Sequence, residues 1–107
     1  ASTSQCGLFL LDYLKEGQEN STYEVTKLQF FLNGQGYFIP VTGVFDDATD
    51  QAVRTFQALY QAEVLTPWYQ AGIVPHNHPT GWVYQLTRWK INNIVCPGSE
   101  PLPELVR

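Results

Sequence analysis

Basic charge is scarce in this chain of 107 residues. Six Lys and Arg stand against ten Asp and Glu, a formal net charge of −4, and the six are scattered singly. No stripe of positive side chains can neutralise a phosphate backbone, which excludes nucleic acid as a partner. Long apolar runs are missing too. Gly7 to Leu14 is short and is interrupted at Asp12, well under the roughly 18 residues that span a bilayer, so no transmembrane segment is expected. Cysteine is limited to Cys6 and Cys96, without the close pairing of zinc modules. Catalytic signatures are also lacking. There is no Gly-x-Ser-x-Gly elbow, and neither Cys has a reason to form an activated thiolate. His76-Asn77-His78 alternates two imidazoles in a Pro-bounded loop without a third ligand of obvious spacing, and a nuclease would want basic surface. The expectation is a non-enzyme with no metal and no cofactor.

What is present is apolar content of 44%, enough for one compact domain that buries a core without a metal. That domain is expected over residues 1–98, followed by an extended or disordered tail over 99–107, where Pro101 and Pro103 sit. Cys6 and Cys96 flank the outermost predicted helical segments and are expected to pair; the alternative is two buried free thiols. A bridge closing so long a loop would remove roughly 4–5 kcal/mol of unfolded-chain entropy. Such bridges persist in oxidising compartments. The small, polar Ala1-Ser2-Thr3-Ser4 start has the composition expected behind a cleaved signal peptide. Both features point to secretion, with an extracellular or cell-wall location.

The periodicity predicts an all-α fold. Leu10, Tyr13 and Leu14 at i, i+3, i+4 predict a short first helix over Gly7 to Glu16, ending at Gly17. Gln18 to Thr22 reads as a connector, in which Asn20-Ser21-Thr22 formally makes Asn20 a glycosylation acceptor. Val25, Leu28 and Leu32 set the stripe of a helix over Tyr23 to Asn33. Tyr37 to Val41 reads as a short extended link before the Thr42-Gly43 turn. Asp46 then caps a helix that places Ala52, Val53, Phe56 and Tyr60 on one face. Val64 to Pro79 is broken by Pro67, Gly72, Pro75 and Pro79 and reads as a long loop. Thr80 is expected to cap the last helix, Gly81 to Val95.

Read in order, Val25, Leu28-Gln29, Leu32, Gly36-Tyr37, Thr42-Gly43, Phe45, Thr49, Ala52-Val53 and Phe56-Gln57 form a pattern. It resembles the peptidoglycan-binding domain family, a small helical cell-wall-binding module of the peptidoglycan-binding domain 1 type. The resemblance extends more loosely through Thr80-Gly81 and Ile91 to Ile94. It implies a compact three-helix core and noncatalytic retention on peptidoglycan or a related surface glycan. The family commonly has a short Asp-Gly turn before its last helix, where this chain has LTPWYQAGIVPHNHPTG.

Sugar recognition commonly stacks apolar ring faces on aromatics, which are 14% of this chain. Phe31, Phe45 and Phe56 lie on stripes or beside the turn and read as core. Trp68, Tyr69 and Trp82 flank the long loop, where they are either a binding platform or the means of pinning the loop. A shallow groove beside the helix that follows Asp46 and the long loop is expected to hold glycan or stem peptide by stacking on Trp68, Tyr69 or Trp82, with polar help from Gln57, Tyr60 and Asn77. Gln29 and Gln57 follow Leu28 and Phe56 in matching places, which also fits a structural hydrogen bond into a turn. The alternative function is a structural subunit of an extracellular filament or surface assembly. Its self-association would use the Ser-rich start and the Pro-rich tail ending Leu105-Val106-Arg107.

Overall fold

The structure is a computed structural model that describes residues 6–105. The Ala1 to Ser4 start and the terminal Val106-Arg107 lie outside the described residues. The fold is all-α: α1 (Thr22–Gly34), α2 (Asp47–Leu59), α3 (Gln61–Val64), α4 (Thr66–Gln70) and α5 (Gln85–Val95). The predicted stripes fill one core, in which Val25, Leu28, Phe31 and Leu32 of α1 meet Ala52, Val53 and Phe56 of α2, with Phe45 and Ile91. Asp46 caps α2 as expected, accepting from Thr49 N at 3.0 Å and from Thr49 Oγ1 at 2.8 Å. Cys6 and Cys96 form a disulfide.

Two copies of one polar clamp set the turns. Gln29 Oε1 accepts from the amides of Thr42 and Gly43, both at 2.9 Å, while its Nε2 donates to Val44 O and Thr49 Oγ1 at 3.0 Å. Gln57 repeats this on the second turn. Its Oε1 accepts from Thr80 N at 2.9 Å and Gly81 N at 3.0 Å, and its Nε2 donates to Trp82 O at 3.0 Å and Thr87 Oγ1 at 3.1 Å. In each case a helix reaches into a Thr-Gly turn and on to a Thr of the following helix. Glycine is required at both turns: φ is +79° at Gly43 and +76° at Gly81, and a Cβ would meet Thr22 Cγ2 at 2.5 Å or Asp50 Oδ1 at 2.0 Å.

Three sequence expectations are corrected. Gly7 to Glu16 is not a helix but an arm laid across the core. Leu10 and Leu14 are buried at helical spacing, yet the backbone finds tertiary partners that pre-empt i→i−4 bonds. Leu10 N donates to Asn92 Oδ1 at 2.7 Å and Leu10 O accepts from Asn92 Nδ2 at 3.0 Å. Leu11 N and Asp12 N donate to Glu24 Oε1, and Leu14 pairs with Val83 in an antiparallel bridge. That bridge also explains the second correction. The last helix starts at Gln85 rather than Gly81, because residues 82–84 are held extended, and Thr80 accepts from Gln57 Nε2 and Trp82 N instead of capping α5. Third, Val64 to Pro79 is only partly loop. Pro67 stands in the first turn of α4, where its missing N–H costs nothing. Val64, Leu65, Trp68 and Val74 build a second small core with Leu86.

The tail is extended but tied down. Glu100 is buried, accepting from Asn92 Nδ2 at 2.8 Å and Arg88 Nη2 at 3.1 Å, and Leu105 packs against the second core.

Glu24 makes the arm sensitive to acid. Burial pushes its carboxyl pKa up, but hydrogen bonds from Lys27 and from the amides of Asp12 and Leu11 outweigh this and hold it below its ordinary 4.5. A lowered folded-state pKa stabilises above the unfolded value and loses that contribution as pH falls through the folded one. The urea midpoint of the parent should therefore exceed that of Glu24→Gln at pH 7, and the gap should close below about pH 4.5. A gap independent of pH would remove the carboxylate from this role.

Candidate functional site

The candidate site is a shallow groove along the outer face of α2. One hollow of about 290 Å³ is lined by Tyr37, Ile39, Ala48, Gln51, Ala52 and Thr55. A second of about 390 Å³ is lined by Asp47, Asp50, Gln51, Arg54 and Thr55. Gln51 and Thr55 belong to both, so the two form one trough with a neutral end and a charged end. Helical spacing creates it: Ala48 and Ala52 are small residues one turn apart, and Gln51 and Thr55 lie beside them. The opposite wall is the Tyr37 to Ile39 link. Both of its flanking side chains pack against the core, and Asn33 clasps Ile39 by two hydrogen bonds, Nδ2 to Ile39 O at 2.8 Å and Ile39 N to Oδ1 at 2.7 Å.

At the charged end Arg54 pairs with Asp50 at 2.8 Å and donates to Pro79 O at 3.0 Å. Glu16 of the arm brings a carboxylate within 4.8 Å of those of Asp47 and Asp50. At the neutral end burial pushes the Tyr37 phenol up from 10.0, with Tyr60 adding to the effect, so it stays protonated at physiological pH. The groove can thus offer an apolar wall, an amide, hydroxyls and, at one end, charge.

The six positions named from the sequence do not converge on one surface. Gln57 has no exposed surface and serves the second clamp, so it cannot also meet a ligand. Trp68 is buried, its indole donating to Gln85 Oε1 at 2.9 Å, and pins the second core. Trp82 is half-buried in a stack. Arg88 lies 4.9 Å over Tyr13, Tyr13 stacks on Tyr84 at 5.2 Å, Tyr84 faces Trp82 at 5.6 Å, and Lys15 caps Trp82 at 4.9 Å. These are the cross-strand neighbours of the Leu14–Val83 bridge, and their ring faces are occupied by one another and by the two cations. Tyr60 is half-buried between the two cores beneath Lys90. Asn77 accepts from Gln61 Nε2 and Thr66 Oγ1. Tyr69 keeps 46% of its surface exposed.

Asn20, the formal glycosylation acceptor, is half-buried. Its Nδ2 donates to Lys15 O and Gln18 O, and its Oδ1 accepts from Gln18 Nε2, which makes it the clasp of the connector. His76 and His78 stack on one another at 5.3 Å, both exposed.

Residues 21–64 match the family described as "Putative peptidoglycan binding domain". No curated protein and no solved structure matches the chain. The resemblance read from the ordered motif is borne out over that segment, and the family is one of binding domains rather than catalysts. The matched segment covers α1, α2 and α3 and holds every lining residue of both hollows. The sequence reading expects a groove beside this same helix but on its long-loop side, and it misses the wall made by the Tyr37 to Ile39 link. The available signal was Tyr37-Phe38-Ile39, since three large apolar residues in an extended link cannot all face inward.

Proposed function

We propose that this chain is a noncatalytic module that retains a secreted protein on peptidoglycan or a related surface polymer, with the α2 groove as its principal contact. The observation that carries this reading is the placement of both groove walls inside the segment similar to the peptidoglycan-binding family. The disulfide supports an oxidising, extracellular setting. Tyr69 on α4, which keeps nearly half of its surface exposed, offers a second, weaker contact apart from the groove. The alternative, a filament subunit assembled through its tails, draws no support from the described tail, whose Glu100 and Leu105 are held against the domain.

The test is co-sedimentation with purified cell-wall sacculi at low salt. The parent should pellet. Thr55→Arg places a long side chain across both hollows from an exposed position, and should weaken binding about tenfold, roughly 1.4 kcal/mol, with an unchanged melting temperature. A parent chain that stays in the supernatant overturns the reading.

A further inference from the structure

Phe38 breaks a local rule without any visible return in packing. Its φ of +52° places a bulky L-residue in the left-handed region, the one non-glycine to do so among the described residues. The residue is 85% exposed, so no burial offsets the strain. Glycine would adopt this conformation freely.

The surroundings hold the strain in place. Gly36 precedes it at φ +97°, Tyr37 N donates to Leu32 O at 3.1 Å, and Asn33 clasps Ile39 on the other side. Tyr37 and Ile39 turn inward as groove wall, and the residue between them is driven out into solvent. Backbone strain fixed by its neighbours at the edge of a groove is a reason to look for a ligand.

We infer that Phe38 is a ligand-contacting residue and that the neutral end of the groove takes an N-acetylated sugar of a glycan strand, rather than a stem peptide. This rests on the reading of the α2 groove as the wall-binding site. An exposed aromatic face suits the C–H face of a pyranose. Phe38 stands at the rim between the lining residues Tyr37 and Ile39; within the hollow, Gln51 donates to Asp47 Oδ2 at 3.0 Å, and among the described residues its Oε1 has no hydrogen-bond partner. Thr55 Oγ1 donates to Gln51 O at 3.0 Å, which leaves its lone pairs to accept. The two groups offer acceptors for an acetamido N–H and a sugar hydroxyl. Tyr37, Ile39 and Ala52 supply an apolar patch for the acetamido methyl. None of the six lining residues carries formal charge, so a neutral sugar enters without stranding a charge, whereas a charged peptide would gain nothing there.

The test titrates the full chain with a soluble neutral probe, a tetramer of N-acetylglucosamine, by heteronuclear NMR, beside the sacculus assay. The parent should show saturable shifts at Gln51, Thr55 and Phe38. Phe38→Gly should weaken binding in both assays at least tenfold while melting at the same or a higher temperature, because the strain is relieved. Phe38→Trp should restore binding. A merely structural role for the ring would not separate binding from stability in this way. If the parent pellets with sacculi, Phe38→Gly pellets equally and the tetramer does not bind, the sugar assignment falls and wall retention stands. Saturable binding of a stem tripeptide at the neutral end, with no binding of the tetramer, overturns the assignment as well. If the tetramer binds through Phe38 but sacculi do not pellet the parent, the sugar contact stands and peptidoglycan retention falls.

Discussion

Replacing the bridge with Cys6→Ala and Cys96→Ala should lower unfolding stability by about 4 kcal/mol, close to the full loop-closure entropy of so long a loop. The two cysteines are 90 positions apart, so the cross-link restricts nearly the whole unfolded chain. In the native state it joins the start of the arm to the end of α5. The arm has further attachments, through Asn92, Glu24 and Val83, and the folded topology should therefore survive the loss. The expected result is a native-like spectrum with a lower urea midpoint, reproduced by adding reductant to the parent. A loss under about 1 kcal/mol would show that the unfolded chain keeps its ends close without the bridge.

The arm marks where the sequence misleads. Leu10 and Leu14 have helical spacing and both are buried, but spacing reports which side chains face inward and not where the backbone amides find partners. Those partners, the Asn92 amide 82 positions from Leu10 and the Glu24 carboxylate 12 from Asp12, lie beyond the reach of a helical turn, and no local pattern announces them. Pro67 misleads for the opposite reason: it looks like a breaker but opens α4. By contrast, the stripes of α1 and α2 and the Asp46 cap are local, and they are legible. The site divides along the same line. The family segment was readable from its ordered motif, yet those motif positions are core and clamp residues. The groove lies on the flank of α2 beside the core stripe, shares only Tyr37 and Ala52 with the motif, and becomes a groove only when the Tyr37 to Ile39 link is laid against Ala48, Gln51 and Thr55, which carry no pattern of their own. Trp82 draws attention in the sequence as one of three aromatics flanking the long loop. In the structure its ring faces are covered by Tyr84 and by Lys15 of an arm whose spacing predicts a helix.

Gln57→Leu should cost about 3–5 kcal/mol, because it strands several buried groups at once and each unsatisfied group costs roughly 1–3 kcal/mol. The amides of Thr80 and Gly81 lose their shared acceptor, and Trp82 O and Thr87 Oγ1 lose a donor. Gln29→Leu deletes the equivalent bonds at the first turn, but Thr42 and Val44 are exposed there, whereas Thr80 and Gly81 are both buried. Water can replace the lost partner at Thr42 and Val44, so Gln29→Leu should cost less, about 2–3 kcal/mol. Two clamps of the same chemistry thus differ in effect through solvent access alone. Hydrogen exchange checks the ordering: Gln57→Leu should speed exchange at Thr80 and Gly81 beyond the change in global stability, and Gln29→Leu should leave those two amides at the global rate. Equal destabilisation by the two variants would mean that the second turn admits water once its glutamine is gone. The released turn leads directly into Trp82 and Tyr84, so Gln57→Leu should also disturb the ring stack that fastens the arm, with a loss of near-ultraviolet dichroism absent from Gln29→Leu.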